Sequence, residues 1–225
     1  MSQSRPTGAK TRDYWWTVIF TDPIAVPVVR VLARSRRVTP DQISYLAIAL
    51  GLGVGPFFAW GTRAGFVAGA LTFYVAFIVD CIDGKLARAI GVSSEKGAAL
   101  DRIGDAARRG SASLGLILGL RGSERYDDYV VWAIVYVVLA YVFFELSGAE
   151  APVERTRGEV DPDSISSPWV RWFARRRLLP TPGMPDAQAV VFILGPLTGL
   201  FCVSLALGIA LAISGVTINA WRRLR

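Results

Sequence analysis

Fifteen consecutive residues without a charge, Gly65 to Val79, run directly into Asp80, and three more aspartates follow at 83, 101 and 105. A segment of that character folds as a helix in hydrocarbon, because a helix pairs its own backbone N–H and C=O groups where water is absent. Carboxylates at the end of such a helix are costly near lipid and need a compensating partner. A divalent cation held by oxygen ligands is the obvious one. The chain therefore has to bring helix ends together around charge, and this constrains the fold more than any other feature.

The wider composition agrees. Of 225 residues, 52% are hydrophobic, and the mean hydropathy is +0.40. These values fit an all-α polytopic membrane protein rather than a soluble domain. Apolar runs predict six spans, at roughly 42–60, 65–89, 98–120, 128–147, 186–198 and 199–220. About 20 apolar residues cross a bilayer core. The uncharged tail from Ala187 to Ala220 is too long for one span and is divided near Gly195-Pro196-Leu-Thr-Gly199. Residues 1–12 read as disordered, and residues 13–37 mix Trp15, Trp16 and Phe20 with Arg30, Arg34, Arg36 and Arg37. Aromatics and arginines in that mixture suit a helix lying at the headgroup level. No cleavable signal peptide is evident in residues 1–40. The expected organisation is a tail and juxtamembrane helix over 1–40, then a membrane domain over 41–225 with a cytoplasmic connection at 148–186.

The net charge of +7 is carried by residues that flank the apolar runs. They read as orientation signals and contacts with anionic lipid, not as a nucleic-acid site. Residues 1–40 carry seven Lys/Arg and the 148–186 connection six arginines, whereas the turn at 61–64 has only Arg63. By the positive-inside rule both termini and the aspartates face the cytoplasm. Three lysines against 22 arginines suggest a GC-rich bacterial genome, and hence a bacterial plasma membrane. In the connection, Trp169-Val-Arg171-Trp172-Phe173-Ala-Arg175-Arg176-Arg177 reads as a second interfacial helix or, alternatively, as an anion site for a phosphorylated substrate.

There is no histidine, and Cys81 and Cys202 stand apart in apolar segments. Zinc sites built on His and Cys are excluded, as are Ser-His and Cys-His nucleophile pairs. Only oxygen ligands remain, which suits magnesium, manganese or calcium. Asp80 and Asp83 share one helix face at a spacing of three, and Asp101 and Asp105 share another at a spacing of four. A hairpin of the second and third spans would bring both pairs together. Four ionised carboxylates in one apolar site repel one another, and one or two divalent ions resolve that. Gly84, Ala87 and Gly97 keep the region narrow, and Arg88 can reach a phosphate. Lys85, Lys96 and Arg102 are expected to snorkel to the interface.

The run Asp80-x2-Asp83-Gly84-x2-Ala87-Arg88-x8-Gly97-x3-Asp101-x3-Asp105 resembles the signature of the CDP-alcohol phosphotransferases, also called CDP-alcohol phosphatidyltransferases. All eight fixed positions are matched. The resemblance implies six spans, an N-terminal interfacial helix and a homodimer. It implies transfer of a phosphoryl-alcohol group from a CDP-alcohol, usually CDP-diacylglycerol, to a hydroxyl acceptor with release of CMP. It further implies that Asp80, Asp83, Asp101 and Asp105 hold two Mg2+ or Mn2+ ions, with Asp105 also the general base. Asp83, Gly84, Ala87, Arg88 and Gly97 would line the CDP site. The family's Pro-Asn-x-x-Thr stretch near the cytidine reads here as Pro40-Asp41-Gln-Ile-Ser44, which adds Asp41 and Ser44 to that site.

The acceptor is not fixed by the resemblance. The basic stretch that follows the fourth span in the inositol-phosphate and glycerol-phosphate branches is replaced by Val142-Phe-Phe-Glu145-Leu-Ser-Gly-Ala-Glu150, and basic residues come only at Arg155, Arg157 and 171–177. Transfer of a soluble CDP-linked head group to a lipid alcohol is an alternative, as is an inactive relative that only binds CDP-lipid. From a different class, a divalent-cation or proton transporter would also place acids in a membrane.

Overall fold

The structure is a computed structural model that describes residues 8–92, 94–121, 127–147 and 166–224. Among them the regular structure is helical, and the one β-bridge pairs Asp13 with Leu178. After a π-helical turn at Thr17–Thr21 come α1 (Asp22–Ser35), α2 (Pro40–Ala59), α3 (Arg63–Ile90), α4 (Glu95–Leu120), α5 (Asp127–Ser147) and α6 (Pro168–Arg175). Then α7 (Met184–Ala189) continues through a second π-turn, Val190–Leu194, into α8 (Gly195–Thr198), and α9 (Phe201–Arg223) follows.

The helix boundaries have local causes. Thr39 caps α2 in a reciprocal capping box with Gln42, and Pro40 occupies the first turn, where its missing N–H costs nothing. Thr62 caps α3 and Ser94 caps α4 through the N–H groups of Gly65 and Gly97. Gly91, with φ +71°, ends α3. The break expected in the C-terminal apolar tail falls at Gly199, with φ +79°.

Among the described residues, three helices are long and apolar enough to cross a membrane, Pro40–Ala59, Arg63–Ile90 and Phe201–Ile218, and Tyr129–Phe143 is a shorter apolar helix. Their outer faces carry exposed Leu46, Leu52, Leu71, Val75, Val131, Val138, Val203 and Leu207. Large apolar side chains turned outward on several helices are what a lipid-facing surface presents. The fourth helix, α4, differs in holding Asp105, Arg108 and Arg109 in its interior.

The sequence suggested a simple hairpin of the second and third spans, but α2 lies between them. It packs along both α3 and α4, which touch each other sparingly. Small residues allow this close approach. A Cβ on Gly115 of α4 would lie 2.3 Å from the Gly55 carbonyl oxygen of α2, and one on Gly51 would lie 3.1 Å from Arg108 Cα. Ser111 Oγ joins the same seam, accepting from Gly55 N–H at 3.0 Å and donating to Leu52 O at 2.7 Å. A core containing Phe58, Phe66, Phe73, Tyr136, Phe192 and Leu205 fills the rest of the bundle. Ala25, Val29, Ile43, Ile78, Ile82 and Leu86 form a second cluster, which seats α1 on α3.

Two expectations need correction. Lys85 does not snorkel. It is buried, with Nζ 3.1 Å from Asp22 Oδ1, because α1 brings that carboxylate down onto α3. Residues 8–12 are placed against the bundle rather than disordered: a Cβ on Gly8 would lie 1.8 Å from the Lys85 carbonyl oxygen, and Gly8 has φ +59°. Residues 1–7, Arg155, Arg157 and the side chain of Glu145 lie outside the described residues.

Candidate active site

The start of α2, the end of α3 and the start of α4 converge at one end of the bundle. There Asp80, Asp83 and Asp101 each offer a carboxylate oxygen, and these oxygens lie within 4.8 Å of one another. Asp83 is buried, Asp80 half-buried and Asp101 exposed, so the cluster opens outward. Ser44 Oγ donates to Asp83 Oδ2 at 2.5 Å, which ties α2 to α3 at the residue the sequence had assigned to the CDP site. Asp80 also reaches α4: a Cβ built on Gly104 would lie in ordinary van der Waals contact with Asp80 Oδ1, at 3.6 Å.

The fourth aspartate behaves differently. Asp105 lies one turn beyond Asp101 and is not among the three clustered carboxylates. Its Oδ1 accepts from Arg108 Nη2, and its Oδ2 lies 2.9 Å from Arg109 Nη1. Arg108 also reaches Asp80 Oδ2 at 3.1 Å, and its side chain is only 2% exposed. Sequence reasoning passed over Arg108. The available signal was its spacing of three from Asp105 and seven from Asp101, which puts it on their helix face.

Asp41 forms an ion pair with Lys96 at 2.9 Å, and the hydrogen bond between them pushes the lysine pKa up. Lys96 keeps its side chain largely in solvent while making this pair, as expected of a snorkelling lysine, and Arg102 is also exposed. The other residues expected at the CDP site flank the cluster. A Cβ on Gly97 would lie 3.9 Å from Asp41 Oδ1, and one on Gly84 would lie 3.3 Å from Arg88 Nη1. Ala87 is half-buried one turn from Asp83. Arg88 folds back over Gly84, and its Nε donates to Gly8 O at 2.7 Å. The N-terminal segment thus borders the site.

The basic aromatic stretch forms α6, which docks on that same segment. Trp15 stacks on Phe173 at 5.5 Å, and Arg177 donates to Lys10 O and to Asp22 Oδ2, each at 3.0 Å. Trp15, Ile19, Trp169, Trp172 and Phe173 line an apolar groove of about 550 Å³ beside it.

Three carboxylates in reach of one point fit a hard divalent ion. Magnesium and manganese favour such oxygen sets completed by water and substrate phosphate.

A family model described as CDP-alcohol phosphatidyltransferase matches residues 37–221. The chain belongs to the CDP-alcohol phosphatidyltransferase family. Its fold is similar to that of phosphatidylinositol phosphate synthase (PgsA1) of Mycobacterium tuberculosis. With the CDP-DAG-bound crystal structure it shares 22% identity at a TM-score of 0.59, covering 90% of this chain and 92% of that one. With the manganese and citrate complex the values are 21% and 0.55, covering 88% and 87%. With the apo form they are 22% and 0.58, covering 88% and 93%. None of the curated proteins matches the sequence.

Proposed function

We propose that this membrane protein transfers a phosphoryl-alcohol group, as phosphatidyl, from a CDP-alcohol such as CDP-diacylglycerol to a hydroxyl acceptor, releasing CMP. The observation that carries this reading is the convergence of Asp80, Asp83 and Asp101 at one helix-bundle end, within the family's motif. The complex of Mycobacterium tuberculosis PgsA1 with CDP-DAG supports the donor class, and its manganese complex supports a divalent ion.

Asp80, Asp83 and Asp101 would hold Mg2+ or Mn2+, and a second ion would require Asp105 as well. A bound ion neutralises charge on the donor diphosphate and makes the transferred phosphorus more electrophilic. Ser44 orients Asp83 through its hydroxyl. Asp41, Gly84, Ala87, Arg88 and Gly97 form the walls of the donor site, with room for backbone or phosphate where side chains are missing. In the transfer, a bond forms from the acceptor oxygen to the donor phosphorus, and the bond from that phosphorus to the CMP oxygen breaks. CMP leaves with the electron pair, and Asp105 takes the acceptor proton. Asp105 is held by two arginines, so one contact has to loosen as it is protonated. Arg109, 21% exposed against 2% for Arg108, is the more solvent-accessible of the two contacts.

The reading includes six spans, cytoplasmic termini and site, a bacterial plasma membrane and a homodimer. A transporter would distribute acids along its path. The described acids of α2, α3 and α4 instead gather toward one end, which favours the transferase. The deciding experiment gives purified protein CDP-diacylglycerol, Mg2+ or Mn2+ and a panel of alcohols, phosphorylated and not. CMP release that stops on chelation, with a lipid product seen by mass spectrometry, is expected. No CMP from any pairing with folded, metal-supplied protein would end this reading.

A further inference from the structure

Between Asp80 and Asp105 the chain places a cation of its own. Arg108 Nη1 is 3.1 Å from Asp80 Oδ2, and Nη2 donates to Asp105 Oδ1. The guanidinium therefore joins the two carboxylates as a bridging ion would. Its position is fixed from several sides. The Phe77 and Phe73 ring centroids lie 5.1 and 5.7 Å from its Cζ. Its backbone is packed on Gly51 of α2, where even a Cβ would come within 3.1 Å of Arg108 Cα. A guanidinium cannot lose its proton in a protein, so burial does not discharge it. Swinging it out would strand two acids in an apolar surround.

We propose that Arg108 takes the place of a second metal ion. The site then holds a single divalent cation at Asp80, Asp83 and Asp101, and the arginine supplies the remaining positive charge. This inference rests on the metal-dependent transferase reading above. A second divalent ion between Asp80 and Asp105 would meet a fixed like charge at close range and compete with it for the same oxygens. Arg108 touches neither donor nor acceptor. It is a positioning residue that acts through Asp80 and through Asp105, which lies outside the three-carboxylate cluster.

The test is a count of bound ions. Full-length protein in detergent, stripped of metal, is titrated with MnCl2 while free Mn2+ is followed by electron paramagnetic resonance, with and without CDP. One Mn2+ per chain is expected for the wild type under both conditions. Two are expected for Arg108→Met, which removes the charge, and one for Arg108→Lys, which keeps it. At saturating donor, CMP release by Arg108→Met should fall about a hundredfold through misplacement of Asp105, with the donor KM little changed. Two ions on the wild type in either condition overturn the proposal, as does a folded Arg108→Met that stays at one. If Arg108→Met does not fold, the wild-type count and Arg108→Lys decide, and two ions on either overturn it. One Mn2+ on a wild type that releases no CMP supports the count while defeating the transfer reading. No Mn2+ on folded wild type defeats both.

Discussion

The two ends of the helix bundle handle charge in opposite ways. At the far end, Arg63 at the start of α3 donates to the carbonyl oxygens of Pro196 and Leu197 in α8. A cation there satisfies the last carbonyls of a short helix and closes the end. At the other end, acids outnumber what the structure pairs, and three carboxylates face one point. A finished hydrogen-bond set makes a clasp, whereas an unfinished one makes a binding site. The same bundle carries both because α2, α3 and α4 are held rigidly between them by small-residue contacts.

The comparison can be broken most severely at the site end. Asp105→Asn, which keeps an oxygen for buried Arg108 to donate to, should reduce CMP release by about 10²–10⁴-fold, as loss of a general base does, with a far smaller change in melting. Melting that falls in step with activity would make Asp105 a clasp residue instead. Next comes the seam that links the ends. Gly115→Val has to displace the Gly55 carbonyl, so overpacking should cost about 1–3 kcal/mol in thermal unfolding, and activity should drop with the folded fraction. Arg63→Ala should cost about 1–3 kcal/mol by leaving carbonyls unpaired, with turnover per folded molecule unaltered; a change in turnover would join the two ends functionally. The smallest effect is expected for Lys96→Ala. In its ion pair with Asp41 the lysine side chain is 63% exposed, so stability should not shift measurably in calorimetry.

The aspartates were legible because their spacing places them on helix faces and their setting makes them costly. Ser44 was legible only through the resemblance, and the structure gives it a physical task in its hydrogen bond to Asp83. The place of α2 between its neighbours was not read, although Gly51, Gly55, Ser111 and Gly115 recur at the four-residue spacing that lets helices approach closely. Arg108 was hidden among 22 arginines. Its partner Asp80 is on another helix, and the packing that joins them cannot be read from spacing along one chain. Lys85 was misjudged for the same reason. Its partner Asp22 arrives from α1, and a long basic side chain near a helix end ordinarily points to water. The Gly8 seat depends on tertiary approach alone, with no periodic pattern around it to announce it.

The polar interior of α4 bears on how the protein is made. With Asp105, Arg108 and Arg109 in its middle, this segment partitions poorly into lipid by itself. Its charges become tolerable once Asp80 and the Gly51 face are already in the bilayer to receive them. During biogenesis α4 should therefore wait for α2 and α3, and glycosylation mapping of a nascent chain lacking residues 40–90 should find it left outside the membrane.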